Sequence, residues 1–337
     1  MSKLTIKLLA KELGLAVSTV SKALRDSHEI SAETKAKVLE FADKHNYVPN
    51  PYASSLRKQK SKTIAVVLPE VADSFFSLAI NGIESVAREK GYHVLIYLTH
   101  ESLEREEIIL SDFNSGRVDG ILISVSQQTS NGAHIKKAMA AGLPIVFFDR
   151  ICEDVPAAKI TTDDFESCYM ATKHLVIKGC KKIAYLSISK NLSINQKREE
   201  GYRKALDDAG MKADEELIVE CGNEEKEHYS TILTLLKAKD RPDGIIASVE
   251  KLVPPVYTCC NNLKLQIPSQ VKVISFTNLA TSPILNPPLS TITQPAFEMG
   301  SKAASLLFRG IEKPSFNLST EKLVIASALQ KRESTDF

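Results

Sequence analysis

No apolar run in this sequence approaches the roughly 18 residues that a membrane span requires, although 43% of its 337 residues are hydrophobic. A membrane-embedded chain is therefore not the reading. The six cysteines, Cys152, Cys168, Cys180, Cys221, Cys259 and Cys260, show neither metal-ligand nor redox spacing. They read as reduced thiols, and no metal or cofactor is expected. Gly-rich phosphate loops and G-x-S-x-G elbows are also missing, so nothing supplies a nucleophile or a paired acid and base. His174 and His228 read as surface helix residues, and the chain reads as a non-enzyme. The opening MSKLTIKLLAKEL spaces its lysines through a helical period and lacks the continuous apolar core and cleavage site of a secretory signal. The expected location is the cytoplasm.

What is present is unevenly placed. The formal net charge is only +2, yet residues 1–60 hold eleven Lys and Arg against six Asp and Glu, which leaves the remainder slightly acidic. A basic front on a neutral body points to a module that faces nucleic acid. With 25% charged residues and a length suited to two or three domains, the composition is that of an ordinary globular chain.

The basic front has a recognisable grammar. Thr5 is positioned to cap a helix carrying Ile6, Leu9, Ala10 and Leu13, and Gly14 to end it. In the following LGLAVSTVSKALR, a helix starting near Val17 puts Ser18, Ser21, Lys22 and Arg25 on one face and Val17, Val20 and Leu24 on another. Two short helices joined at a glycine form the helix-turn-helix, whose second helix enters the major groove. Ser31 caps a third helix, where Val38, Leu39 and Ala42 cover the first two. The outward face of hydroxyls and cations suits a duplex whose phosphates and bases accept hydrogen bonds.

From Thr63 onward strands alternate with helices: TIAVVLP, HVLIYL, VDGILIS and PIVFFD in a first series, then KIAYLSI, LIVE, DGIIAS and VKVISF in a second. Such alternation means parallel sheets with crossover helices, in two lobes. In open sheets of this kind a ligand sits outside the carboxyl ends of the strands, here the cleft between lobes.

The front segment TIKLLAKELGLAVSTVSKALRDSHEISAETKAKVLEFADKHNYVPNPYASSLR resembles, without a gap, the headpiece of a LacI-family transcriptional regulator. TVSKAL, I-S-x-E-T and the exit Y-V-P-N-P-x-A-x-x-L carry the resemblance. It implies an α/β protein: a small all-α helix-turn-helix DNA-binding domain, then a two-lobed periplasmic-binding-protein-like domain with parallel sheets. The expected divisions are a headpiece at 1–48, a hinge helix and linker at 49–61, and an effector-binding and dimerisation domain at 62–337. Within the last, one lobe takes 62–162 plus 292–322 and the other 163–291 plus 323–337.

The resemblance places Val17, Ser18 and Lys22 at base-reading positions and Thr19 and Ser21 against phosphate. Thr5, Arg25, Ser31 and Tyr47 complete the headpiece contacts. Val17 can meet a thymine methyl or pack in the core. Lys22 stands where the family more often has Arg, which removes the planar two-pronged contact to guanine. Ala16 stands where the family usually has a capping Ser. Asn50 to Arg57 is by resemblance the hinge helix, with Ala53 against the minor groove and Leu56 as a wedge at the central base step.

Position and resemblance together nominate Phe75, Asp149, Arg198, Glu250 and Thr277 as effector-binding residues. A carboxylate facing a guanidinium suits sugar hydroxyls or an anionic metabolite. The pattern departs from the family: Val249-Glu250 stands for Asn-Asp, Ser275-Phe276-Thr277-Asn278 for Gly-Phe-Asp-Asp, Asn223 for a stacking aromatic, and Leu192 and Ile194 for small hydroxyls. The resulting reading is a regulator, expected to be a repressor, that binds a pseudo-palindromic double-stranded operator as a homodimer under the control of a small-molecule effector. No heptad pattern follows Gln330, so no tetramer bundle is expected. A periplasmic solute receptor would share the body but not the basic headpiece.

Overall fold

The computed structural model describes residues 5–47, 60–222 and 224–336. The chain divides into two compact units, residues 1–61 and 62–337.

The first unit is three helices: α1 (Ile6–Leu13), α2 (Val17–Ala23) and α3 (Ala32–Lys44). Their shared core is small, with Leu9, Ala10, Val20, Ala23, Val38 and Ala42 buried together. Leu39, expected to join them, is 46% exposed. Val38 and Ala42 fall one helical turn apart on the inner face, and Leu39 is rotated off it. Thr5 and Ser31 cap α1 and α3 through their hydroxyls. Gly14 takes the left-handed conformation, φ 65°, that lets the chain turn from α1 into α2.

The second unit contains two sheets. The first lobe is built from β1 (Thr63–Leu68), α4 (Ser74–Glu89), β2 (His93–Leu98), α5 (Leu103–Asp112), β3 (Ile121–Ile123), α6 (Ala133–Ala140), β4 (Ile145–Phe148) and β5 (Ala158–Thr162). The second runs α7 (Asp164–Ile177), β6 (Ile183–Ser187), α8 (Ser193–Asp208), β7 (Ile218–Glu220), α9 (Glu225–Lys237), β8 (Gly244–Ala247), α10 (Val253–Asn262), β9 (Lys272–Phe276) and β10 (Ser290–Thr293). The chain then returns to the first lobe with α11 (Ala296–Glu312) and β11 (Lys322–Ile325), and ends in the second with β12 (Ala328–Gln330). The strand orders are β11-β5-β4-β3-β1-β2 and β12-β10-β9-β8-β6-β7. Each lobe thus has the same doubly wound pattern, with the last strand added to its edge.

These pairings move the expected crossings. Ser290 and Ile292 pair with Ile274 and Phe276 in the second sheet, and Leu323 to Ile325 pair with Ile160 to Thr162 in the first. The returning segment therefore begins after Thr293, close to the expected 292, and ends after Ile325, a few residues beyond the expected 322. Backbone hydrogen bonding to an existing sheet edge decides both points, and side-chain pattern carries little trace of it.

Inner strands such as β1, β4 and β6 are buried on both faces, as parallel sheets covered by helices must be. The first-lobe core takes Met299, Ala303, Ala304, Leu307 and Phe308 from α11, each large side chain worth about 1.5–3 kcal/mol on burial. α11 lies so close to α4 that a Cβ on Gly300 would stand 2.0 Å from the Ala79 carbonyl oxygen, and one on Gly82 2.1 Å from that of Phe297. The second lobe repeats the device: a Cβ on Gly201 of α8 would stand 2.2 Å from the Phe165 carbonyl oxygen of α7.

Candidate functional site

On the headpiece, α2 presents Val17, 42% exposed, beside the exposed Ser18. Val17 is thus a surface residue, and the core is closed without it. Thr19, Ser21 and Lys22 are half-buried at the base of the same helix. α2 ends at Ala23, so Arg25 sits in the turn beyond it, its N–H donating to the Lys22 carbonyl at 3.2 Å. Asp26 occupies a left-handed position, φ 53°. Its carboxylate pairs with Lys35 at 2.7 Å, a contact that holds it below the usual carboxylate range. Lys22 forms an ion pair with Glu29. The Lys22 ammonium is thus engaged with a carboxylate of the turn that follows α2. Thr5 and Ser31 spend their hydroxyls on helix caps, and Tyr47 packs against the headpiece core. Asn50, Ala53 and Leu56 lie outside the described residues, as does Asn223.

In the body, the five nominated cleft residues come together. Phe75, Asp149, Arg198, Glu250 and Thr277 line one cavity with Asp73, Arg150 and Gln294. Each reaches it from the carboxyl end of a strand or the start of a helix: Phe75 follows β1, Asp149 follows β4, Glu250 follows β8, Thr277 follows β9, and Arg198 stands on the first turns of α8. This is the crevice that doubly wound sheets leave open.

The cleft is closed by its own side chains. The Glu250 carboxylate accepts a hydrogen bond from the Ser74 N–H at 3.0 Å and others from the hydroxyls of Ser74 and Thr277. Ser74 belongs to the first lobe, and Glu250 and Thr277 to the second. Lys251 and Glu70 form a second tie between lobes at 2.7 Å. The remaining space is about 30 Å³, room for one water.

Arg198 does not face a carboxylate across the cleft. It is 2% exposed, its Nε donates to Asp164 at 2.7 Å and another guanidinium nitrogen to the Ser248 carbonyl, and it lies 4.0 Å over the Phe276 ring. Arg150 is likewise committed, to both Glu101 oxygens at 2.9 Å. Asp73 accepts the Phe75 N–H at 2.8 Å and Asp149 the Ser124 hydroxyl at 3.3 Å, and the nearest guanidinium nitrogen to Asp149, Arg150 Nε, stands 3.8 Å off. Burial pushes Asp149 up to about 7, incompletely opposed by Arg150 and Arg198. Asp73 rises to about 6 through burial and the nearby Glu250. Sequence reasoning missed Asp73, Glu101, Arg150 and Asp164; of these Asp73 carried a visible signal, as an acid preceding a helix in the loop after β1.

His174 and His228, read as surface residues, are buried at 6% and 3% exposure. His174 contacts the Thr335 hydroxyl and His228 the Gly222 carbonyl, and burial lowers both pKa values. All six cysteines are buried free thiols. Among the described residues no group of three or more His, Cys, Asp or Glu is placed to hold a metal ion, and no helix is long and apolar enough to cross a membrane.

Residues 5–50 match the family described as bacterial regulatory proteins, lacI family, and residues 61–333 match periplasmic binding proteins and sugar binding domain of LacI family. The chain belongs to the LacI family. It is 28% identical to the HTH-type transcriptional regulator RegA of Clostridium saccharobutylicum over 98% of this chain and 99% of that one. It is 29% identical to the HTH-type transcriptional repressor PurR of Mannheimia succiniciproducens over 97% and 99%. Among solved structures, the lac repressor dimer bound to operator and the anti-inducer ONPF shares the fold with a TM-score of 0.85 at 20% identity, over 99% of both chains. The relatives are transcriptional regulators, and so is this LacI-family chain.

One family departure has a measurable cost. Ala16 is the N-cap residue of α2 and makes no side-chain cap hydrogen bond. Ala16→Ser is expected to stabilise α2 by about 1 kcal/mol. Amide exchange of α2 should slow by roughly fivefold, and unchanged rates would show that the helix end is satisfied in another way.

Proposed function

We propose that this regulator is a cytoplasmic, non-enzymatic repressor that binds a pseudo-palindromic operator as a homodimer and answers to a small molecule in the interlobe cleft. The observation that carries the reading is α2, with Val17 and Ser18 exposed beside Lys22 on a helix anchored through Val20 and Ala23 in the headpiece core. A single headpiece offers a few base contacts at about 1–3 kcal/mol each, too few to outcompete non-specific sites without a second. Two-fold pairing supplies the second and imposes its symmetry on the operator. Support for pairing comes from the edge strand β2, where Leu95 and Ile96 are 39% and 44% exposed, an unguarded apolar edge that a lone protein would not leave bare. The PurR, RegA and lac repressor likenesses favour the same assignment.

In this scheme Val17, Ser18 and Lys22 read bases, Thr19, Ser21, Arg25, Thr5, Ser31, Tyr47 and Asn50 fix the headpiece on phosphate, and Ala53 and Leu56 enter the minor groove. Phe75, Asp149, Arg198, Glu250 and Thr277 shape the effector cleft. An effector must bind one lobe arrangement better than the other in order to regulate.

Selection from a random duplex library at fixed salt tests the reading. It should return a pseudo-palindrome, and a Lys22→Ala selection should lose preference at one symmetric base pair per half-site. Leu56→Ala is expected to weaken operator binding by roughly tenfold to a hundredfold while leaving non-specific binding near its original value. Equal losses on both DNAs would remove Leu56 from the wedge role, and an asymmetric selected site would sink the dimer.

A further inference from the structure

We propose that the interlobe cleft is built for a hydroxylated organic cation, an ammonium-bearing polyol, rather than for a neutral sugar or an anion. The inference rests on the effector reading of the cleft and names its ligand class. Three carboxylates, Asp73, Asp149 and Glu250, line the cavity with two arginines. Both guanidinium groups are spent elsewhere, Arg150 on Glu101 and Arg198 on Asp164. The nearest approach of either to the three acids is Arg150 Nε to Asp149 at 3.8 Å, too long for a hydrogen bond. Once both aspartates are ionised, the carboxylates of the cavity wall outnumber its guanidinium groups in a place with little water, an excess that a bound cation relieves and an anion aggravates.

A second observation supplies the hydroxyls. Arg150 is 4% exposed and its Nε–H finds no acceptor. A buried donor left unpaired is costly, and a ligand hydroxyl oxygen could satisfy it. The ammonium then faces Asp73 and Asp149, and a hydroxyl close to it accepts from Arg150 Nε, which lies 3.8 Å from the Asp149 carboxylate.

Size couples this ligand to lobe movement. The closed cleft leaves about 30 Å³, so a polyol enters only when Glu250 leaves Ser74 and Thr277. Glu250 holds the lobes together through Ser74 until a ligand displaces it.

The test uses a matched six-carbon series on the full-length protein: glucamine, sorbitol and gluconate, which differ in charge on a common polyol chain. Calorimetry at pH 8 should give glucamine an affinity about tenfold or more above sorbitol, the equivalent of roughly 1.4 kcal/mol, with gluconate weakest. Asp149→Asn should abolish that preference; asparagine tolerates the left-handed backbone at this position, φ 63°. Asp73→Asn, which keeps the helix cap, provides a second variant should the first fold poorly. Lowering the pH to 5 should weaken glucamine as the two aspartates take up protons, Asp73 facing Glu250, Glu70 and Arg150, and Asp149 facing Arg150, Arg198, Asp164 and Asp73. Sorbitol or gluconate binding as tightly as glucamine overturns the proposal, as does the absence of glucamine binding at millimolar concentration. Operator binding measured alongside separates the two levels. Release or tightening by sorbitol alone keeps the effector cleft and overturns the cation, whereas glucamine preference without any change on operator keeps the cation and removes the regulatory role.

Discussion

Arg198→Ala is expected to cost the two-lobed body about 3–5 kcal/mol, the penalty for stranding one half of a buried ion pair. Arg198 and Asp164 are each 2% exposed. Without the guanidinium, Asp164 retains only a 3.3 Å hydrogen bond from the Thr162 hydroxyl. Burial already raises the Asp164 pKa even with Arg198 in place, and removing the arginine raises it further. An acid with a raised folded pKa binds more protons folded than unfolded, so its contribution to stability falls as pH rises. The deficit of the variant should accordingly be greater at pH 8 than at pH 5 in urea unfolding. A loss under about 1 kcal/mol at both would mean that the pair is solvated in solution. Arg198→Met combined with Asp164→Leu should recover most of the loss, because neither charge then remains buried.

The second large effect concerns a methyl group. Gly300→Ala is expected to destabilise the body by about 3 kcal/mol, at the upper end for overpacking. The added Cβ would stand 2.0 Å from a carbonyl oxygen of α4, and backbone cannot swing aside as a side-chain end can. Gly82→Ala strikes the same contact from the other helix. The double variant should lose less than the two singles combined, since helices forced apart by one methyl have made space for the other. Gly91→Ala is the control: its φ of 66° is strained for alanine but nothing lies within 4 Å, so a loss of only about 1 kcal/mol is expected. Equal losses at Gly91 and Gly300 would refute the close approach.

How legible all this was depended on the interaction concerned. Helix starts written in local chemistry, at Thr5 and Ser31, were readable because a hydroxyl and an N–H three residues on decide them. Strands such as TIAVVL were readable because burial on both faces leaves an unbroken apolar run. β5 left little signal: AKITT is fully buried, yet it contains Lys159, whose ammonium is retained by Glu153 at 2.9 Å. The cleft residues were nameable from strand ends, but not their pairing. That Arg198 turns to Asp164, and Arg150 to Glu101, 49 residues away, is a fact of tertiary placement. So is the burial of His174 and His228, which helical periodicity alone left on the surface.

The late return of the chain also governs how the protein can be made. α11 and β11 complete the first lobe, but they lie within its final 42 residues. A ribosome that has finished β5 has therefore made all the described strands of the first sheet but one, and none of α11, which shares its core with α4. The headpiece, by contrast, has the buried core of its described residues within 9–42 and can close as soon as it emerges. The body must wait for α11, its apolar faces open to chaperones through most of synthesis, and a message cut between residues 62 and 296 yields a headpiece joined to a body that lacks α11 and β11.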